Sequence, residues 1–238
     1  MPRILAVDTS AKAVSCAVME DDRVLGAYFS DTGLTHSQTL LPMIQHLLNT
    51  VGLSVSQLDA LAVNAGPGSF TGVRIGVSTV KGFAFTHNIP CISVSTLEAM
   101  AYPLAVSPDT VICCAMDARC QQVYTALFCR TADGQIQRLS PDEAISLAEL
   151  EQRLRQMDKP VVLVGDGSDV CYRHFASTLP VQLAPAGVRM QNATGTAAVA
   201  RLLLAQGQTV SADALLPTYL RLPQAERELR QRLSENKA

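Results

Sequence analysis

Along the first thirty positions, apolar residues fall into short runs separated by polar turns. Ile4 to Val7 is a compact aliphatic run, Ala13 to Met19 alternates in part, and Val24 to Ser30 follows the polar turn Glu20-Asp21-Asp22-Arg23. Runs of this length between turn residues predict a meander of three strands. The period changes at His36. Leu40, Leu41, Met43, Ile44, Leu47, Leu48 and Val51 recur at helical spacing and Gly52 stops the pattern, which predicts a helix over 36–51.

Beyond that helix, Ala60 to Val63 predicts a strand, and Ala65-Gly66-Pro67-Gly68-Ser69-Phe70-Thr71-Gly72-Val73-Arg74 a tight glycine-rich turn leading into a helix over 73–86. A strand over 91–94 and a short helix from Thr96, capped by Ser95 or Thr96, complete a β-β-β-α-β-α-β-α series. That is the order of a ribonuclease-H-like lobe, a mixed sheet with helices on its faces. Pro103 to Pro108 interrupts the pattern, and the second half repeats it in shortened form. Strands are expected at Val111 to Met116, Gln122 to Arg130 and Gln135 to Leu139, then a charged helix from Ser146 to Met157 and a buried strand from Val161 to Val164. Gly165-Asp166-Gly167 opens a short helix, and an apolar helix runs from Thr194 to Leu204. Two related lobes, 1–105 and 106–222, followed by a charged tail over 223–238, are the expected organisation.

Composition narrows the function classes. With 48% hydrophobic and 17% charged residues the chain is ordinary globular material, and its net charge of −2 offers no global field for a polyanion. A stand-alone nucleic-acid binder is therefore not expected. The seven cysteines are odd in number, contain no C-x-x-C and sit mostly in apolar runs, as buried thiols in a reducing compartment would. The apolar run at Ile4 is too short for a secretory segment, and no stretch of about 18 apolar residues occurs. A cytoplasmic protein is expected.

Three features invite a chemical reading. The glycine-rich turn before a helix is a shape that cradles phosphate, with Arg74 beside it, or else one that packs a strand tightly against a helix. It matches neither the dinucleotide fingerprint nor the Walker A loop, because no Lys-Ser/Thr follows its last glycine. Asp8 and Asp117 each end the first strand of a lobe, where acids either position a cation or cap their own turns. The four histidines, His36, His46, His87 and His174, are scattered without an i, i+4 pair, so no metal site is expected.

Several separated motifs resemble one family. Ile4-Leu5-Ala6-Val7-Asp8-Thr9-Ser10, His36-Ser37-Gln38, the Gly66 to Arg74 turn, Val94-Ser95-Thr96-Leu97, Asp117-Ala118-Arg119 with Val123-Tyr124, and Pro217-Thr218-Tyr219-Leu220-Arg221 occur in the order seen in the bacterial TsaB (YeaZ) family. The resemblance implies an α/β fold of the actin-like (ASKHA) type, two ribonuclease-H-like lobes with mixed sheets flanked by helices. It also implies a non-catalytic part in forming N6-threonylcarbamoyladenosine (t6A) in tRNAs that read codons beginning with adenine. In that system the paralogue TsaD transfers threonylcarbamoyl from threonylcarbamoyl-AMP and the ATPase TsaE joins them. TsaD-type chains carry a His-x-x-x-His pair, and the segment Val94 to Met100 places Thr96 and Met100 at those two positions. A hydroxyl and a thioether do not replace two imidazoles for a borderline cation.

For such a subunit the informative surface is apolar. The helices over 36–51 and 73–86 are apolar over more than one face, and the resemblance implies that they pair with TsaD or with a second copy of the chain. His36, Leu40, Met43, Ile44, Leu47, Ile75, Val77 and Thr79 are the expected partner-interface residues. No cofactor is expected, and tRNA contact is expected only through the complex. The competing reading is an actin-like small-molecule kinase or ATPase using Asp8 and Asp117. A metalloprotease reading is disfavoured by the missing histidine pair.

Overall fold

The computed structural model describes residues 1–221, so the expected charged tail over 223–238 lies outside the described residues. Strands β1 (Arg3–Asp8), β2 (Val14–Glu20) and β3 (Arg23–Ser30) form the meander. Helix α1 (His36–Val51), β4 (Ala60–Gly66), α2 (Phe70–His87), β5 (Cys91–Ser95) and α3 (Thr96–Ala101) follow. The sheet order is β3-β2-β1-β4-β5, with β1, β2 and β3 antiparallel and β1, β4 and β5 parallel. Successive residues of β1 alternate between two cores, as the two-residue period of a strand requires. Leu5 and Val7 face α1 and α2 with Leu40, Ile44, Leu47, Val73 and Val77, whereas Ile4 and Ala6 face the opposite side.

The second half contains β6 (Val111–Asp117), β7 (Gln122–Arg130), β8 (Ile136–Arg138), β9 (Glu143–Ser146), α4 (Leu147–Met157), β10 (Val161–Val164), α5 (Ser168–Phe175), β11 (Val181–Leu183), α6 (Ala186–Arg189) and α7 (Ala193–Ala205). Its sheet runs β11-β10-β6-β7-β8, with β9 also on β7. Counting from β6, this is the strand order of the first sheet again, antiparallel in the hairpin and parallel beyond it. The fold is thus a duplicated ribonuclease-H-like unit, the actin-like arrangement.

Two connections bind the halves. Helix α3 packs Leu97 and Met100 on the second sheet and Ala99 on the first. Helix α7, expected inside the second lobe, forms as expected but lies on the first sheet. There Ala193, Ala197 and Ala200 meet Ala6, Ala17, Ala60 and Ala62, small residues on both sides that allow close approach. After α7 the chain returns along the first lobe as a strap. Val210 bridges to Cys91, Leu215 is buried in the core under α2, and the Thr218 N–H donates to the Ala65 carbonyl at 2.7 Å.

Candidate functional site

The glycine-rich turn is shaped by packing. Ser69 caps α2 by accepting from the Gly72 N–H at 3.3 Å, and the Ser69 N–H donates to the Ser10 carbonyl at 2.7 Å. Thr9 Oγ1 donates to the Gly72 carbonyl at 2.8 Å. A Cβ on Gly72 would collide with the Thr9 carbonyl oxygen, and one on Gly68 would lie 2.5 Å from that of Ser10. These glycines therefore let the start of α2 press directly on the β1–β2 turn, which closes the loop around backbone instead of leaving a cradle open.

Between the lobes lies a cleft of about 350 Å³ whose walls include Ser10, Lys12, Asp117, Arg119, Asp166 and Gln191. Asp8 and Asp117 both cap their own turns. Asp8 Oδ1 accepts from the Ser10 N–H (2.9 Å) and Oγ (2.7 Å), and Asp117 Oδ1 accepts from the Arg119 N–H (2.8 Å). Burial raises the Asp8 carboxyl above the ordinary range, and the Ser10 hydrogen bonds oppose it only in part. Asp166 is raised for the same reason, with Gln191 Nε2 donating to its Oδ1 at 2.7 Å. Gly165 and Gly167 press against the backbone of Ala115 and Met116. Thr96 and Met100 are both buried in α3, and among the described residues no group of three or more His, Cys, Asp or Glu could hold a metal ion. Cys16, Cys91, Cys113, Cys114 and Cys171 are buried, and burial pushes the Cys16 and Cys113 thiols up to about 12. Cys120 is exposed.

The other candidate is the outer side of α1 and α2. A groove of about 510 Å³ runs between them, lined by His36, Leu41, Phe70, Arg74, Ile75 and Thr79. A second hollow, on the other flank of α1, is formed by Tyr28, Phe29, Pro42, Met43 and His46. Leu41 and Phe85 are more than half exposed. His36 is half-buried, and its Nε2 meets the Ala11 carbonyl at 2.7 Å, which ties the start of α1 to the β1–β2 turn.

The expected interface set divides. Leu40, Ile44, Leu47 and Val77 are buried against the first sheet, so they build the chain's own core and are not open to a partner. His36, Met43, Ile75 and Thr79 remain at the surface of the two hollows. Leu41, Phe70 and Arg74 join them and were not in the expected set. A helical wheel separates the two groups on α1: 40, 44, 47 and 48 share the buried face, 36 and 43 lie at one edge of it, and 41 lies at the other.

The duplicated strand order, the interlobe cleft and the crossing α7 define an actin-like two-lobe α/β protein. The family model for TsaD: tRNA N6-adenosine threonylcarbamoyltransferase matches residues 30–229. The tRNA threonylcarbamoyladenosine biosynthesis protein TsaB of Escherichia coli (strain K12) is 36% identical over 221 residues, covering 92% of this chain and 94% of its own. The protein of the same name from Bacillus subtilis (strain 168) is 32% identical over 223 residues, 94% of this chain and 96% of its own. The solved structure of YeaZ from Pseudomonas aeruginosa matches with a TM-score of 0.75 at 27% identity, over 92% of this chain and 100% of that one. The chain belongs to the TsaB family. Among the described residues no helix is long and apolar enough to cross a membrane.

Proposed function

We propose that this chain is a non-catalytic subunit of the cytoplasmic machinery that forms t6A next to the anticodon of tRNAs reading codons that begin with adenine. It supports a TsaD-type paralogue, which performs the transfer from threonylcarbamoyl-AMP, and works with a TsaE-type ATPase. The observation that carries this reading is the exposed apolar groove between α1 and α2, flanked by Leu41, Phe70 and Ile75, on a chain whose strand-ending acids Asp8 and Asp117 cap their own turns. The outer side of α1 and α2, with His36, Leu41, Phe70, Ile75 and Thr79 in the groove and Met43 on the other flank of α1, docks the paralogue, or a second copy when the chain is alone. Contact with tRNA comes through the complex.

The names of the relatives and Thr96 and Met100 at the positions of a metal-binding histidine pair support the same division of labour. Co-purification with the TsaD-type paralogue of the same genome tests it directly. The wild-type chain is expected to pull the paralogue down, and Met43→Asp, a half-buried surface change, to fold but release it. Calorimetric titration of the isolated chain with MgATP is expected to give no turnover. Micromolar binding with turnover overturns the subunit reading in favour of a kinase or ATPase.

A further inference from the structure

Between Asp31 and Glu98 the chain carries formal charge only at Asp59, Arg74 and Lys81. This stretch contains all of α1 and α2. Asp59 accepts from the Arg3 N–H at 2.7 Å, away from the groove, and Lys81 Nζ donates to the Asp213 and Leu215 carbonyls of the strap at 3.3 Å. Arg74 is placed differently. It is exposed on the wall of the groove, its guanidinium lies 3.8 Å from the Phe70 ring centroid, and its Nε donates to Tyr219 Oη at 2.8 Å. Phe70 and Tyr219 are themselves stacked at 4.8 Å. Tyr219 of the strap thus holds the guanidinium by one edge and Phe70 of α2 covers one face. Among the described residues no carboxylate lies within ion-pair distance of it, and Nη1 and Nη2 have no hydrogen-bond acceptor.

A held planar fork with two free donors matches a carboxylate in two-pronged geometry. A second copy of this face does not supply one. In a two-fold dimer the opposing surface is the same α1–α2 pair, whose fixed charges are Arg74 and Lys81. Covering Arg74 there desolvates an unpaired cation near its own like, which disfavours that pairing without abolishing the apolar contact.

Resting on the reading that this face docks a partner, we infer that Arg74 selects which partner it takes. The groove fits a helical surface that presents a carboxylate to Arg74, and the same residue weakens self-association. Tyr219 is the positioning residue that orients the guanidinium. Partner binding and self-association then respond to salt with opposite signs, because screening removes an attraction in one and a repulsion in the other.

The test is calorimetric titration of the full-length chain with the TsaD-type paralogue, alongside sedimentation equilibrium of the chain alone, for wild type, Arg74→Gln, Tyr219→Phe and Met43→Asp. Arg74→Gln is expected to weaken partner binding at least about tenfold and to tighten self-association. Raising salt from about 50 to about 500 mM should weaken wild-type partner binding steeply and leave Arg74→Gln nearly flat. Tyr219→Phe should keep the salt slope because it keeps the charge, whereas a merely structural Arg74 would make the two variants alike. Unchanged partner affinity in Arg74→Gln, or equal weakening of both associations, overturns the inference. If Met43→Asp abolishes binding in that same experiment, the docking reading survives and only the role of Arg74 falls. If the wild type does not bind the paralogue, both fall.

Discussion

Gly72 and Gly82 lie ten positions apart on the same helix, and the sequence treats them alike. A Cβ on Gly72 would strike the Thr9 backbone, while one on Gly82 meets nothing within 4 Å. Gly72→Ala is therefore expected to cost about 3 kcal/mol or more, as forced overpacking against a main chain that cannot yield. Gly82→Ala should be neutral or stabilise by up to about 1 kcal/mol, as an exposed mid-helix glycine replaced by the best helix former. Equilibrium denaturation of the two variants decides both. Asp166 gives a pH-dependent counterpart. Its folded-state pKa is raised by burial, so the stability it contributes is present below the unfolded carboxylate value and lost as pH rises through the raised one. Asp166→Asn keeps an acceptor for Gln191 Nε2 and should raise Tm at pH 7 by about 2 °C, with no gain near pH 3. At this scale the sequence was legible in its motifs but not in their purpose. The Gly66 to Arg74 turn was recognisable, yet whether it cradles phosphate or packs on Thr9 and Ser10 depends on a neighbour sixty residues away.

Helix α1 was bounded correctly from its period and its stop at Gly52, because both signals are local. Its facing was not. Apolar residues at 40, 41, 43, 44, 47 and 48 cover nearly half the wheel, wider than one packed face, and only the sheet beneath shows which of them are inside. Leu47 is buried at 1% exposure, whereas Met43 is half-buried. Leu47→Asp is accordingly expected to lower Tm sharply or prevent folding, since it buries an unpaired carboxylate in an apolar core. Met43→Asp, at a partly buried position on the rim of that core, should lower Tm by much less. Circular dichroism melts of the pair separate core from surface, and a folded, stable Leu47→Asp protein would contradict the placement of α1. The short strands β9 and β11 and the one-turn helix α6 escaped the sequence reading because three or four residues carry too little periodicity. The strap from Val210 to Arg221 escaped for another reason: its backbone hydrogen bonds reach Cys91 and Ala65 and leave no repeating pattern along the chain.

The whole molecule is one architecture used twice, and the strand order of both sheets carries that conclusion more firmly than any single motif. The duplication was visible in the sequence as a shortened repeat, but the return of α7 to the first sheet was not, because a helix rich in alanine fits either lobe equally well by pattern. Function followed the same division. The family was legible from motifs spread over the chain, while the surface that gives a non-catalytic member its use emerged only when the core had claimed Leu40, Ile44, Leu47 and Val77. What remains exposed is an apolar groove with one oriented cation and a cleft in which Asp117 caps its own turn and Asp166 is held by Gln191. The central claim is that this chain is required for t6A formation without performing the transfer. Reconstitution from purified TsaD-type and TsaE-type partners, threonylcarbamoyl-AMP and an unmodified tRNA, with each protein omitted in turn, measures it most directly. The account predicts that sustained t6A synthesis is lost when this chain is left out, and that this chain alone with substrate and tRNA makes none. Undiminished synthesis without it, or transfer by the chain alone, would contradict the account.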